Sequence, residues 1–361
     1  MSELSVAILG TGNAGVSLAA ILSLRGVDVS LADLPEYGES VQAIIDHGGI
    51  DLLGEYGVGK AKPALVTTNM EEALRGRKII MFCHPAYANE AFTRACAPFL
   101  EDGQILVYIS YFGALRMARL LESLEVNKDV IIGEILSFLY ACDKTGPAEA
   151  LVKKRKAGLP FAAFPGARIQ EALSTLNQVF DDLVPAANCL ETSMHNMNPW
   201  VHIPGVVLNA GWIEATKGGF SFYVDGMTPA VLRVRHALDR EKRDVASKLG
   251  ISTIATADIL SRMYADLPKD INERYYAKSK DAPTHLRHRY LVEDMIYGLV
   301  PVVGIARAVG VSTPTMDSII TLASILSEMD FKKEGIRIAD LGLKDLSVDE
   351  ISEFMKTGGK R

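Results

Sequence analysis

Gly10-Thr11-Gly12-Asn13-Ala14-Gly15 stands between the apolar run Leu4 to Leu9 and the small-residue, helix-patterned stretch Val16 to Leu24. A strand that turns tightly into a helix over a phosphate uses glycine at three points. The first takes the turn, the second leaves the backbone bare where a pyrophosphate approaches, and the third lets helix and strand touch. The N–H groups at the helix start then face the phosphates. The motif alone is weak evidence, and its context decides. Here a second strand-like run, Val27 to Ala32, follows and closes on Asp33. That is about twenty residues beyond the glycines, where a carboxylate accepts ribose hydroxyls. A carboxylate repels a 2′-phosphate, and no Arg or Lys occurs among Leu34 to Ser40, so the pattern favours NAD over NADP.

Outward from this turn, apolar strand-like runs alternate with helical stretches up to about residue 185. The runs are Val6 to Leu9, Val27 to Ala32, Lys78 to Cys83, Gln104 to Ile109 and Asp129 to Ile132, with Phe161 to Phe164 and Cys189 to Thr192 as shorter candidates. This predicts an α/β fold, a doubly wound parallel sheet with ligand at the carboxyl ends of its strands. Beyond residue 196 helix signals dominate. Thr228-Pro229 and Thr313-Pro314 read as helix starts, and Gly250 as a stop. Two domains are expected, 1–188 binding NAD and 189–361 mainly helical and catalytic.

The 361 residues carry a net charge of -6, which argues against a nucleic-acid or anionic-membrane partner. The basic run Lys153-Lys154-Arg155-Lys156 lacks interleaved aromatics and reads as a solvated turn. Four cysteines without a C-x-x-C suggest buried thiols, neither a zinc cage nor a disulfide framework, and no metal is expected. No signal peptide or membrane span is visible, and a cytoplasmic protein is expected.

Hydride transfer to a C=O or C=N requires a proton donor. His84, beside Pro85 at a strand end, lies on the sheet edge where cofactor is expected, either touching the dinucleotide or capping the strand. The stretch Asn196-Met197-Asn198-Pro199-Trp200-Val201-His202-Ile203-Pro204 places His202 in the first turns of a helix, with Asn198 as N-cap. In Arg289-Tyr290-Leu291-Val292-Glu293-Asp294, Asp294 borders an apolar run and would be buried only if paired, while Arg289 offers a fork for a carboxylate. Each segment alone is also compatible with a purely structural role.

Together these stretches resemble the opine dehydrogenase family (octopine, nopaline and carboxyalkyl-amino-acid dehydrogenases). The match also takes in Gly133-Glu134, Thr192-Ser193, Leu208-Asn209-Ala210, Tyr223 with Gly226, and Gly298-Leu299-Val300-Pro301. It continues through Asp330-Phe331 with Lys333-Glu334-Gly335 to Leu341-Gly342-Leu343. The resemblance implies a Rossmann domain followed by a helical domain, with the active site in the cleft between them and a homodimeric assembly. The activity it implies is reductive condensation of an amino acid with a 2-oxo acid, using NADH or NADPH, and the reverse oxidation. It makes His202 the catalytic acid/base, Asp294 its partner, and Arg289, Asn198 and Tyr223 substrate-binding. Gly10, Gly12, Asn13, Ala14, Gly15, Asp33, His84, Pro85 and Glu134 fall to the cofactor. Many relatives carry a histidine a few residues beyond Pro85, and here Asn89 stands near that position. Two rival readings are a 2- or 3-hydroxy-acid dehydrogenase on the same plan and a non-catalytic NAD sensor.

Overall fold

Residues 4–263 and 282–359 are described by the structure, a computed structural model. Its chain divides into two compact units, Met1–Cys189 with Met355–Arg361, and Leu190–Phe354. The last residues return to the first unit through close backbone contacts. Gly166 passes so close to the Met355 carbonyl that a Cβ there would lie 3.2 Å from it, and Gly358 abuts the Pro165 ring.

In chain order the strands are β1 (Ser5–Leu9), β2 (Asp28–Ala32), β3 (Ile50–Gly54), β4 (Gly59–Ala61), β5 (Leu65–Thr67), β6 (Ile79–Phe82), β7 (Ile105–Ile109), β8 (Ile131–Ile135), β9 (Tyr140–Gly146), β10 (Glu149–Arg155), β11 (Pro160–Phe164) and β12 (Val184–Pro185). Eight of them form one sheet in the order β12-β11-β8-β7-β6-β1-β2-β5. From β8 to β5 the pairings are all parallel, whereas β11 runs antiparallel to β8. β1, β6 and β8 are buried along their whole length, as parallel strands covered on both faces must be. The chain winds from β1 outward through β2 to β5, then returns to the other side of β1 as β6. The switch point therefore lies between the carboxyl ends of β1 and β6, where an α/β sheet opens a ligand crevice.

The doubly wound sheet is as expected, but a second sheet, β4-β3-β10-β9, was not foreseen. It lies against helix Asn13–Leu24. The basic run is therefore strand rather than solvated turn. Lys153 pairs with Asp143, Arg155 with Asp182, and Lys156 is buried with its ammonium on the Ser137 hydroxyl. Cys189–His195 is helical where the residues suggested strand.

In the second unit every element among the described residues is helical. Helix Pro229–Lys248 starts as expected, with Thr228 Oγ1 accepting the Val231 N–H, and Gly250 follows at φ +70°. Helix Pro314–Ser327 begins at its expected proline, but its N-terminal N–H groups go to Glu241, which accepts from Thr315 and Met316. Helix Asn198–Leu208 begins one residue earlier than read. Asn198 is its first residue, and the side chain that accepts the Asn198 N–H is that of Asn196, at 3.0 Å. After helix Arg289–Asp294 the backbone widens into a π turn, Met295–Leu299, before α-helix resumes at Val300–Ala308. No helix among the described residues is long and apolar enough to cross a membrane.

Candidate functional site

In the first unit, the glycine turn has the geometry its sequence suggests. Gly10 sits at φ +108°, and a Cβ there would lie 2.9 Å from the Cys83 carbonyl. At Gly15 a Cβ would come within 1.7 Å of the Gly10 carbonyl, so helix and turn touch backbone to backbone. Gly12 differs. A Cβ there would meet nothing within 4 Å among the described residues, so none of them demands this glycine. The helix it opens, Asn13–Leu24, has no side-chain cap and no acidic residue in its first turn, which leaves its positive end available to an anion.

A cavity of about 290 Å³ opens over this turn, bounded by Gly10 to Gly12, Asp33, Tyr37, Ser40, His84 and Lys144 among others. Asp33 is buried at its floor. Oδ2 accepts the Thr11 N–H and the Thr11 hydroxyl, both at 2.6 Å, and Oδ1 accepts the Leu34 N–H at 2.8 Å. His84 stacks on Phe92 with centroids 4.0 Å apart. Its Nδ1 lies 3.1 Å from the Pro85 carbonyl, which can only accept, so Nδ1 carries the proton. Nε2 is then an acceptor, buried and without a hydrogen-bond partner among the described residues. Burial pushes the His84 pKa down to about 4, so the ring stays neutral. A glycine with open space above it, an uncapped helix start and an orphaned acceptor in one cavity fit a dinucleotide.

In the second unit the decisive side chains converge on His202. Its Nδ1 donates to Asp294 Oδ2 at 2.8 Å, and both side chains are buried. A buried carboxylate is tolerated only when paired in this way. With Nδ1 committed to Asp294, Nε2 faces the Tyr223 hydroxyl, 2.7 Å away. Tyr290 stacks on the imidazole face, centroids 3.8 Å apart and planes 11° from parallel. His288 packs edge-on against Tyr290 and accepts the Tyr290 N–H at Nδ1. Burial, then the charges of His285, Arg289 and His202, push the His288 pKa down to about 4.

This arrangement is built locally. Gly205 has no side chain because the Phe222 ring and the Met227 methyl occupy the space, at 2.6 and 2.7 Å from a would-be Cβ. Asn209 Nδ2 donates to the Gly205 and Gly226 carbonyls, tying the Tyr223 loop to the helix of His202. Below, Trp200 Nε1 donates to the Met194 carbonyl, and the buried Lys242 ammonium, bonded to Asp239, lies 5.5 Å from the Trp200 ring.

The family profile described as "NAD/NADP octopine/nopaline dehydrogenase, alpha-helical domain" matches residues 185–327. An opine dehydrogenase of Arthrobacter sp. (strain 1C) is 30% identical over 347 residues, covering 94% of this chain and 96% of that protein. The chain belongs to the opine dehydrogenase family. Its members are oxidoreductases acting on CH–NH donors. Octopine dehydrogenase of Pecten maximus is 24% identical, with 88% of this chain and 89% of that one aligned. Among solved structures, octopine dehydrogenase in complex with NADH and agmatine superposes with a TM-score of 0.76 at 19% identity, covering 99% of both chains. Apo yersinopine dehydrogenase superposes at 0.70 and 18% identity, covering 98% of both. Both share the fold.

Within this family member, Gly10, Gly12, Asp33, His84 and Pro85 come together around one cavity. Asn13 and Ala14 open the adjoining helix, and Asn13 Oδ1 accepts the Lys144 N–H instead of facing that cavity. Glu134 departs further from its cofactor assignment. It is fully buried on β8, and Oε2 accepts the Ala114 N–H at the start of helix Gly113–Ser123. In the second unit His202, Asp294 and Tyr223 are in direct contact. Arg289 stands on the same helix as Asp294, its half-exposed guanidinium held by the buried carboxylate of Glu293 at 2.9 Å. Asn198 is half-buried at the start of the His202 helix. Reading the sequence missed Tyr290, His288 and Lys144. The ring pattern around His202 leaves no local signal, and Lys144 reaches the turn from 133 positions away.

Proposed function

We propose that this protein is an NAD(P)-dependent opine dehydrogenase, condensing the amino group of an amino acid with a 2-oxo acid by reduction and catalysing the reverse oxidation. The observation that carries this reading is the chain of hydrogen bonds Tyr223–His202–Asp294, since a module that only binds has no need of a buried, oriented acid/base. The dinucleotide, held at the glycine turn of the first unit by Gly10, Gly12, the start of helix Asn13–Leu24, Asp33 and His84, supplies the hydride. That octopine dehydrogenase is solved with NADH and L-arginine and with NADH and pyruvate supports this choice of reactants.

Loss of water from the amine–oxo acid adduct leaves a C=N bond, and addition of hydride at carbon and a proton at nitrogen gives the secondary amine. Because Tyr223 caps His202 Nε2, its hydroxyl is the group that meets the substrate, and His202 replenishes or collects the proton behind it. Asp294 holds Nδ1–H in place and balances the imidazolium when the ring is charged. Tyr290, flat against the ring, keeps it from turning. Arg289 binds a substrate carboxylate, with Asn198 beside the helix start as a further polar contact. The four cysteines, all free thiols, fit a reducing cytoplasm.

The reading is tested by a matrix of 2-oxo acids against amino acids, followed as oxidation of NADH and of NADPH. Oxidation that requires both partners is expected. Full-rate oxidation with an oxo acid alone would make it a hydroxy-acid dehydrogenase, and tight binding without turnover across the matrix a sensor.

A further inference from the structure

We propose that Lys144 sets the cofactor preference of this chain, letting it accept a 2′-phosphorylated dinucleotide as well as an unphosphorylated one. This deepens the proposed dinucleotide binding and rests on it. A carboxylate at the end of the second strand ordinarily takes the ribose hydroxyls and repels a 2′-phosphate. Asp33 holds that position, but two of its features weaken the repulsion. Three protein donors already point at its two oxygens, from Thr11 N–H, Thr11 O–H and Leu34 N–H. The Lys144 ammonium also lines this cavity, donating to the carbonyl of Thr11, the residue whose N–H and hydroxyl Asp33 accepts, at 3.2 Å.

Burial lowers the Lys144 pKa and the Asp33 charge pulls it back up, so the two groups sense each other directly. A cation on the wall of the same cavity offsets part of the repulsion that an isolated Asp33 would exert on a 2′-phosphate. β9 fixes this placement, since the Lys144 N–H donates to Asn13 Oδ1 and Cys142 Sγ donates to the Asn13 carbonyl. Among the described residues Nζ makes one hydrogen bond, which leaves two of its three N–H donors for the cavity. Ser40, in the first turn of helix Gly38–His47, lines the same cavity and offers it a hydroxyl. The nearby acids Glu36 and Glu39 are both exposed and are not among the residues lining the cavity.

The test is equilibrium binding of NADH and NADPH to the full chain, read by nucleotide fluorescence, with competition by 2′-AMP and 5′-AMP as probes that undergo no hydride chemistry. Wild type, Lys144→Met and Lys144→Arg are compared, each checked for an unchanged circular dichroism spectrum. Wild type should bind both nucleotides, with affinities within about tenfold of each other. Lys144→Met should weaken NADPH and 2′-AMP at least tenfold more than NADH and 5′-AMP, and Lys144→Arg should restore NADPH. An unchanged NADPH/NADH ratio in Lys144→Met overturns the proposal, as does a wild type that binds NADH and ignores NADPH. Absence of binding by either nucleotide sinks the dinucleotide reading itself, a result distinct from a changed ratio.

Discussion

Tyr223 Oη stands 2.7 Å from His202 Nε2, on the nitrogen opposite the one that Asp294 engages. With Tyr290 stacked on the ring, both nitrogens and one face of the imidazole are covered by protein. A proton can leave His202 for a substrate only through the tyrosine or after the tyrosine moves. Tyr223→Phe separates the two cases. If the hydroxyl carries the proton, kcat falls by about 10²-fold while KM changes little, as measured by steady-state rates of nucleotide oxidation. A phenylalanine variant with wild-type or higher kcat would show that Tyr223 is only a cover.

Asp294→Asn preserves shape but offers Nδ1 either an amide donor or a poorer acceptor, and so favours the wrong imidazole tautomer. Loss in kcat should be about 10³- to 10⁴-fold, with nucleotide binding retained in a fluorescence titration. Loss of nucleotide binding together with kcat would mean that Asp294 supports the fold instead.

The glycines of the turn should separate stability from binding. Gly15→Ala puts a Cβ 1.7 Å from the Gly10 carbonyl, so the protein should lose several degrees of Tm or fail to accumulate. Gly12→Ala meets nothing within 4 Å and has φ of -76°, so Tm should hold. Its NADH affinity should nevertheless drop at least tenfold, because the methyl occupies ligand space. Calorimetry and nucleotide titration on the two variants check both halves.

Three histidines, His84, His195 and His288, have pKa values pushed down to about 4, each chiefly by burial. An unfolded chain protonates the same rings near pH 6.5. The folded state thus binds fewer protons below that pH, so stability is complete above about 6.5 and declines as pH falls towards 4. Thermal midpoints should drop between pH 6.5 and 5, before most carboxylates titrate. In His195→Gln the drop should be shallower than in wild type, and equal slopes would argue against a neutral buried ring.

The glycine turn and the parallel strands were legible because their signals are local: a fixed spacing, runs of buried residues, an acid at a strand end. The second sheet was not. β3 and β4 are short and broken by Gly54, Gly57 and Gly59, while β9 and β10 carry Asp143, Lys144, Lys153, Lys154 and Arg155, which erase any alternation. Lys144 belongs to that sheet, so the cation it brings to the Asp33 cavity arrives from a strand far from Leu34 to Ser40 in sequence and has no local signal there. Cys189–His195 shows the opposite error, a short apolar run whose period cannot distinguish strand from helix. In the second unit His202 and Asp294 were candidates by residue type, open to a structural role until the family resemblance assigned them one. Tyr290 sat among charges that read as surface, and only the fold lays it on the imidazole.

The π turn Met295–Leu299 begins immediately after Asp294. It accommodates one residue more than an α-helical turn, and each residue added rotates the downstream helix by about 100°. Upstream, the helix answers to His202. Downstream, Val302, Val303 and Ile305 answer to an apolar interior. The widened turn sets the rotational offset between these two obligations. Without the extra residue, a helix that keeps the Asp294 carboxylate on its histidine would turn a different face to the interior, so the π turn reconciles the two registers.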